Sequence, residues 1–92
     1  MGVNQTVIVG KVIDLVNDNM LLIKANMNGG TEIIGVELSY KFLSVFRESC
    51  NIGDLVGIRG YLKGTKDGQC IVVADKLTFL SSEDKEMTYR NE

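Results

Sequence analysis

The chain contains no histidine. That removes the side chain that most often acts as a general base near neutral pH, and with it the commonest metal ligand. No cluster of cysteines or carboxylates takes its place, and no Ser or Cys sits in a nucleophile motif. Nothing therefore supplies an activated nucleophile or a tuned acid/base pair, and neither enzyme activity, a metal nor a cofactor is expected. Cysteine is scarce as well. Cys50 and Cys70 are the only two, and with no export signal they are expected to stay free and reduced in a cytoplasmic protein. Apolar runs such as Met20 to Ile23 are far too short to cross a bilayer, so no membrane partner is expected. There is no surplus of positive charge: 10 Lys and Arg against 12 Asp and Glu leave a net charge of -2. A strongly basic nucleic-acid footprint is excluded, which leaves room only for a local stripe of cations.

What is present is strand-forming sequence. The chain has 92 residues, enough for one domain, and an ordinary apolar fraction of 45%. Its most informative stretch runs from Gly53 to Lys63. Val56, Ile58, Gly60 and Leu62 alternate there with Gly57, Arg59, Tyr61 and Lys63. Successive strand side chains point to opposite faces, so this pattern predicts a core face and a face carrying Arg, Tyr and Lys in a row. A cation–aromatic–cation row suits a sugar-phosphate backbone with a base stacked beside it. The same alternation also describes any half-exposed strand, because aromatics favour strands and lysines guard edges.

Taken in order, residues 3–16 read as a long β-branched strand with apolar side chains on both faces, and Gly10 as a bulge or bend within it. Asn17-Asp18-Asn19 is a turn, Met20 to Met27 a second strand, and Asn28-Gly29-Gly30 a hairpin turn. Residues 31–38 form a third strand, with Ile34, Val36 and Leu38 on one face and Ile33, Gly35 and Glu37 on the other. The one helix is predicted over residues 39–50, capped by Ser39, with Phe42, Val45, Phe46 and Ser49 or Cys50 on one stripe. A strand over 55–63 and another over 70–80 follow, and residues 81–92 read as a frayed polar tail or short helix. Phe42, Phe46 and Phe79 are assigned to the core. Three strands, a helix and two strands give an all-β chain on the plan of the five-stranded OB-fold barrel, spanning 1–81 with a short tail over 82–92.

At this point the chain resembles the bacterial single-stranded DNA-binding protein family. The opening strand Asn4-Gln5-Thr6-Val7-Ile8-Val9-Gly10-Lys11-Val12 is similar to the family's first strand, and Val36 to Phe42 to its passage from third strand into helix. The segment Asn51 to Leu62 resembles its helix exit and fourth strand, and Val72 to Leu80 its last strand. The pattern departs where Ser39 stands at a position the family often gives to Trp, and the chain has no Trp. The hairpin between the last two strands is also short, about Gly64 to Gln69, and the long acidic, Phe-tipped tail has no counterpart. This is the pattern of a short member, comparable to the small primosomal proteins that share the fold.

The resemblance implies sequence-independent binding of single-stranded DNA by a homo-oligomer, a dimer or tetramer built through the first strand. The residues themselves do not separate DNA from RNA. Candidate contacts are Arg59, Tyr61 and Lys63, with Lys11, Lys24 and Lys76 on strands that a barrel would bring near, and Tyr40 as a second aromatic. Lys24 and Lys76 read equally well as solvated strand residues, and Tyr40 as a cover for the helix start. The other reading of the whole chain is a protein-interaction or assembly module on the same barrel, with weak or no nucleic-acid binding. Its acidic balance and lack of Trp favour that reading.

Overall fold

The computed structural model describes residues 4–27, 29–80 and 87–90. Val3 as a strand start, Asn28 as a turn residue and most of the predicted tail lie outside them. The described elements are β1 (Thr6–Val16), β2 (Met20–Met27), β3 (Gly30–Glu37), α1 (Tyr40–Ser49), β4 (Leu55–Gly64), β5 (Cys70–Phe79) and β6 (Met87–Arg90). The strands lie in the order β3-β2-β1-β4-β5-β6, and a parallel pairing of β3 with β5 closes the first five into an OB-fold barrel. The strand β6 pairs antiparallel with β5 where a frayed tail or helix was expected. None of the described helices is long and apolar enough to cross a membrane.

Each element follows from local chemistry. The β1–β2 turn places Asn17 and Asp18 at φ of 51° and 65°, a left-handed conformation that Asn and Asp tolerate. Ser39 caps the helix, its hydroxyl accepting from the Phe42 N–H at 3.3 Å. Phe42, Leu43 and Phe46 are the buried helix residues. They join Ile8, Val12, Leu21, Ile23, Val36, Val56, Ile58, Val72, Leu77 and Phe79 in one core. Leu43 was missing from the predicted stripe, while Val45, which was on it, is partly buried and packs against this core.

Two expectations, the place of the β1 irregularity and the burial of Leu62, need correction. The irregularity in β1 falls between Val12 and Asp14, beyond Gly10. Gly10 is instead a point of close approach, where a Cβ would stand 2.5 Å from Ile23 Cγ2 and 2.6 Å from the Lys24 carbonyl oxygen. Leu62 keeps its predicted parity but is 49% exposed, because β4 has by then run past the core towards its hairpin. As expected, β1 is apolar on both faces: Ile8 and Val12 are in the core, while Val7 and Val9 are 70% and 51% exposed in the single chain.

Gly60 is the tightest point in the barrel. A register shift in the β4–β5 ladder lies between Arg59 and Gly60, and a Cβ at Gly60 would collide with the Val73 carbonyl oxygen. Backbone cannot yield there as a side-chain tip could. Gly60→Ala is expected to cost about 3 kcal/mol in urea unfolding. Gly64→Ala, with nothing within 4 Å, is expected to stay within about 0.5 kcal/mol.

Cys50 and Cys70 are both free, the first buried and the second exposed. Burial above all, and then the neighbouring Asp54 carboxylate, push the Cys50 thiol from its ordinary 9.0 up to about 12. The unfolded chain therefore loses this proton first. The stability it contributes is complete below pH 9 and is lost as pH rises towards 12. A thiol reagent is expected to label Cys70 in the native protein and Cys50 only on unfolding. Cys50→Ala should lose less of its urea resistance between those pH values than the parent chain does.

Candidate nucleic-acid interface

Barrel closure places residues from distant parts of the chain on one outer face. Across the β1–β2 ladder Lys11 is directly opposite Lys24, and Lys24 is opposite Ile33 on β3. The next outward row runs Asp14, Leu22, Gly35. It continues across the β3–β5 seam, where Ile71 Cγ2 stands 3.4 Å from the place a Gly35 Cβ would take. Lys63 follows, opposite Ile71. A third row runs Val16, Met20, Glu37, Val73, Tyr61. Residues opposite one another in register share a face. The band thus has two lysines at one end, Tyr61 and Lys63 at the other, and between them Ile33, Leu22, Met20 and Ile71 together with the carboxylates Asp14 and Glu37.

The β4–β5 hairpin forms a wall over this floor. Thr65, Asp67, Gln69, Cys70 and Ile71 face Met20, Leu22, Ile33, Ile34 and Gly35 across an open groove of about 490 Å³, with Asn17 at one end. The hairpin is held by its own bonds. Thr65 N–H donates to the Gln69 carbonyl at 2.8 Å, and the Thr65 hydroxyl donates to Asp67. That hydroxyl holds the fully exposed Asp67 carboxyl below the usual aspartate range. Ile33 is 61% exposed at the groove's edge.

Two of the predicted cations have carboxylate partners. Arg59 Nε donates to Asp75 Oδ1 at 3.0 Å, and Lys63 Nζ lies 3.5 Å from Glu37 Oε1. The four side chains are between 32% and 54% exposed, so each pair is worth at most about 1 kcal/mol. Among the described residues, Lys11 and Lys24 have no such ion pair.

The predicted site residues therefore separate into three groups. Lys11, Lys24, Tyr61 and Lys63 lie on the band. Arg59 and Lys76 are opposite each other across β4 and β5, with Val7 on Arg59's other side. They belong to the face where Val9 Cγ2 and Leu80 Cδ1 come within 3.9 and 3.6 Å of where a Gly57 Cβ would stand. Tyr40 is 91% exposed, off the band, beside the turn at 17–19, on a second cleft of about 410 Å³ lined also by Leu38, Ser39 and Leu43, with Asn17 common to this cleft and the groove. Sequence reasoning missed the apolar floor of Met20, Leu22, Ile33 and Ile71 and the two carboxylates Glu37 and Asp75. The available signal was parity: Ile33 lies on the Glu37 face, opposite Ile34 and Val36.

No family model and no curated protein matches this chain by sequence. Solved structures do match. The mitochondrial single-stranded DNA-binding protein Rim1 from S. cerevisiae superposes with a TM-score of 0.75 at 15% identity, over 88% of this chain and 98% of that one. The N-terminal domain of PriB from Thermoanaerobacter tencongensis, solved as a dimer, gives 0.65 at 15% identity over 86% and 98%. The small single-stranded DNA-binding protein from Streptomyces coelicolor gives 0.63 at 21% identity over 86% and 94%. The chain is thus folded as the OB barrel that these proteins share, over nearly their whole length.

Proposed function

We propose that this protein binds single-stranded DNA along the band from Lys11 and Lys24 to Tyr61 and Lys63. The observation that carries this reading is the band itself. Two lysines without an ion pair among the described residues and an aromatic–cation pair flank a groove with an apolar floor and a polar wall on one continuous face, beneath the β4–β5 hairpin. A single strand can lay phosphates on the lysines and turn bases onto Tyr61 and the floor of the groove. The choice of DNA rests on the proteins that share the barrel, two of which are named for single-stranded DNA binding.

Assembly through β1 belongs to the same proposal. Residues 6–10 are bonded to β4 on one side, while the β2 ladder begins only at Lys11. Val7 and Val9 stand exposed beside that open edge, and PriB, which shares the barrel, is a dimer. A second reading, an assembly or protein-interaction module with weak nucleic-acid binding, is favoured by the carboxylates that already hold Arg59 and Lys63.

Titration of a labelled thymidine oligonucleotide, followed by anisotropy at low and near-physiological salt, separates the two. The first reading expects saturable binding that weakens with salt. Tyr61→Ala should then cost about 1–3 kcal/mol for each base stacked there. Lys11→Ala and Lys24→Ala should each flatten the salt slope by about 0.7. Binding unchanged in all three variants overturns the band, and no binding at low salt leaves the assembly module. Light scattering tests the assembly: Val9→Lys is expected to lower the oligomer mass towards that of one chain, and an unchanged mass removes β1 as the interface.

A further inference from the structure

The cations of the outer surface are not equivalent. Lys63 reaches Glu37 across the β3–β5 seam, from a position 26 residues away in sequence, and Arg59, the next outward residue to Tyr61 along β4 and so bordering the band, holds Asp75 at the β5 irregularity. Both carboxylates lie where a phosphate oxygen would otherwise meet the cation, since carboxylate and phosphate use the same donors. Lys11 and Lys24 sit side by side with no such partner among the described residues. Like charges directly opposite each other repel, so their juxtaposition is relieved by an anion.

We propose that Glu37 and Asp75 are internal competitors of the nucleic acid, which hold Lys63 and Arg59 in ion pairs that a phosphate must displace. This rests on the single-strand reading above and adds to it a device that sets affinity. Both pairs are open to water and weak enough to exchange. The exchange is nevertheless a substitution: the phosphate gains only the difference between itself and the carboxylate, and the displaced carboxylate stays beside the DNA. Each of the two cation–carboxylate units is neutral to an approaching strand. The band lysines with no carboxylate partner among the described residues are then Lys11 and Lys24. With about -0.7 per neutralised phosphate, the salt slope is near -1.4, against about -2.8 for four independent cations.

The test is a salt series of oligonucleotide titrations on Glu37→Gln, Asp75→Asn and the double variant, with Glu48→Gln on the helix as a control of equal charge change. Thermal unfolding of each variant verifies that the barrel is retained. Each site variant is expected to steepen the slope by about 0.7, equivalent to about fivefold tighter binding at 0.1 M salt, taking 1 M as reference. Glu48→Gln should leave slope and affinity nearly unchanged. Folded site variants that bind like the parent, or a control that tightens binding equally, overturn the proposal. If the parent chain binds nothing at low salt, the double variant still decides. Gain of binding there supports the competitors while the parent's DNA-binding reading falls, and continued absence of binding removes both.

Discussion

Two backbone carbonyls, those of Lys24 and Val73, occupy space that side chains at positions 10 and 60 would need. The barrel closes because those side chains are absent. Gly10 lets β1 cross close over β2 as it changes partner, and Gly60 lets β4 hug β5 at the irregularity before the hairpin. With β5 so placed, Val36 and Glu37 can pair with Val72 and Val73 and join β3 to the other edge of the sheet. The joining of the band's two ends depends on that seam, because it sets Lys63 and Tyr61 beside Gly35 and Glu37.

This division explains what could be read from the sequence. Alternation along one strand is local information, and it gave the faces of β3 and of β4 up to Leu62; capping chemistry gave Ser39, and the order of the elements gave the OB plan. Whether an outward residue meets a partner depends on register across strands distant in sequence. Arg59 and Lys63 were legible as outward cations, but their pairing with Asp75 and Glu37 was not. Lys11 and Lys24 were legible as candidates, while their position directly opposite one another follows from the β1–β2 ladder. Leu62 shows the limit of parity itself: an alternating pattern continues past the point where the barrel stops covering the strand. Tyr40 shows another, since an aromatic beside a helix cap has no strand parity to place it.

The acidic balance of the chain can be reconciled with an anionic ligand once position is considered. Net charge is a sum over the molecule, whereas an approaching strand meets charges within about a Debye length, about 8–10 Å at ordinary salt. Lys11 and Lys24 lie within that range of each other, and Glu48 belongs to the helix, on a different element. Asp14, Glu37 and Asp67 do lie on or beside the band, so the face is weakly positive at one end and nearly neutral elsewhere. A face of this kind would depend more on Tyr61 and the apolar floor, and less on counterion release, than a strongly basic groove does.

The strand β1 carries both proposed surfaces, and its change of partner keeps them apart. Up to Gly10 its outward residues, Val7 and Val9, look across to Arg59 and Gly57 on β4. From Lys11 onward they look across to β2, and the outward residues become Lys11, Asp14 and Val16. Lys11 is in both ladders, opposite Leu55 on one side and Lys24 on the other. A second chain seated on the open edge at 6–10 would bury the valines and reach the neighbourhood of Arg59 and Lys76, yet leave the Lys24, Leu22 and Met20 side of the barrel open. Assembly and strand binding are therefore compatible on this barrel.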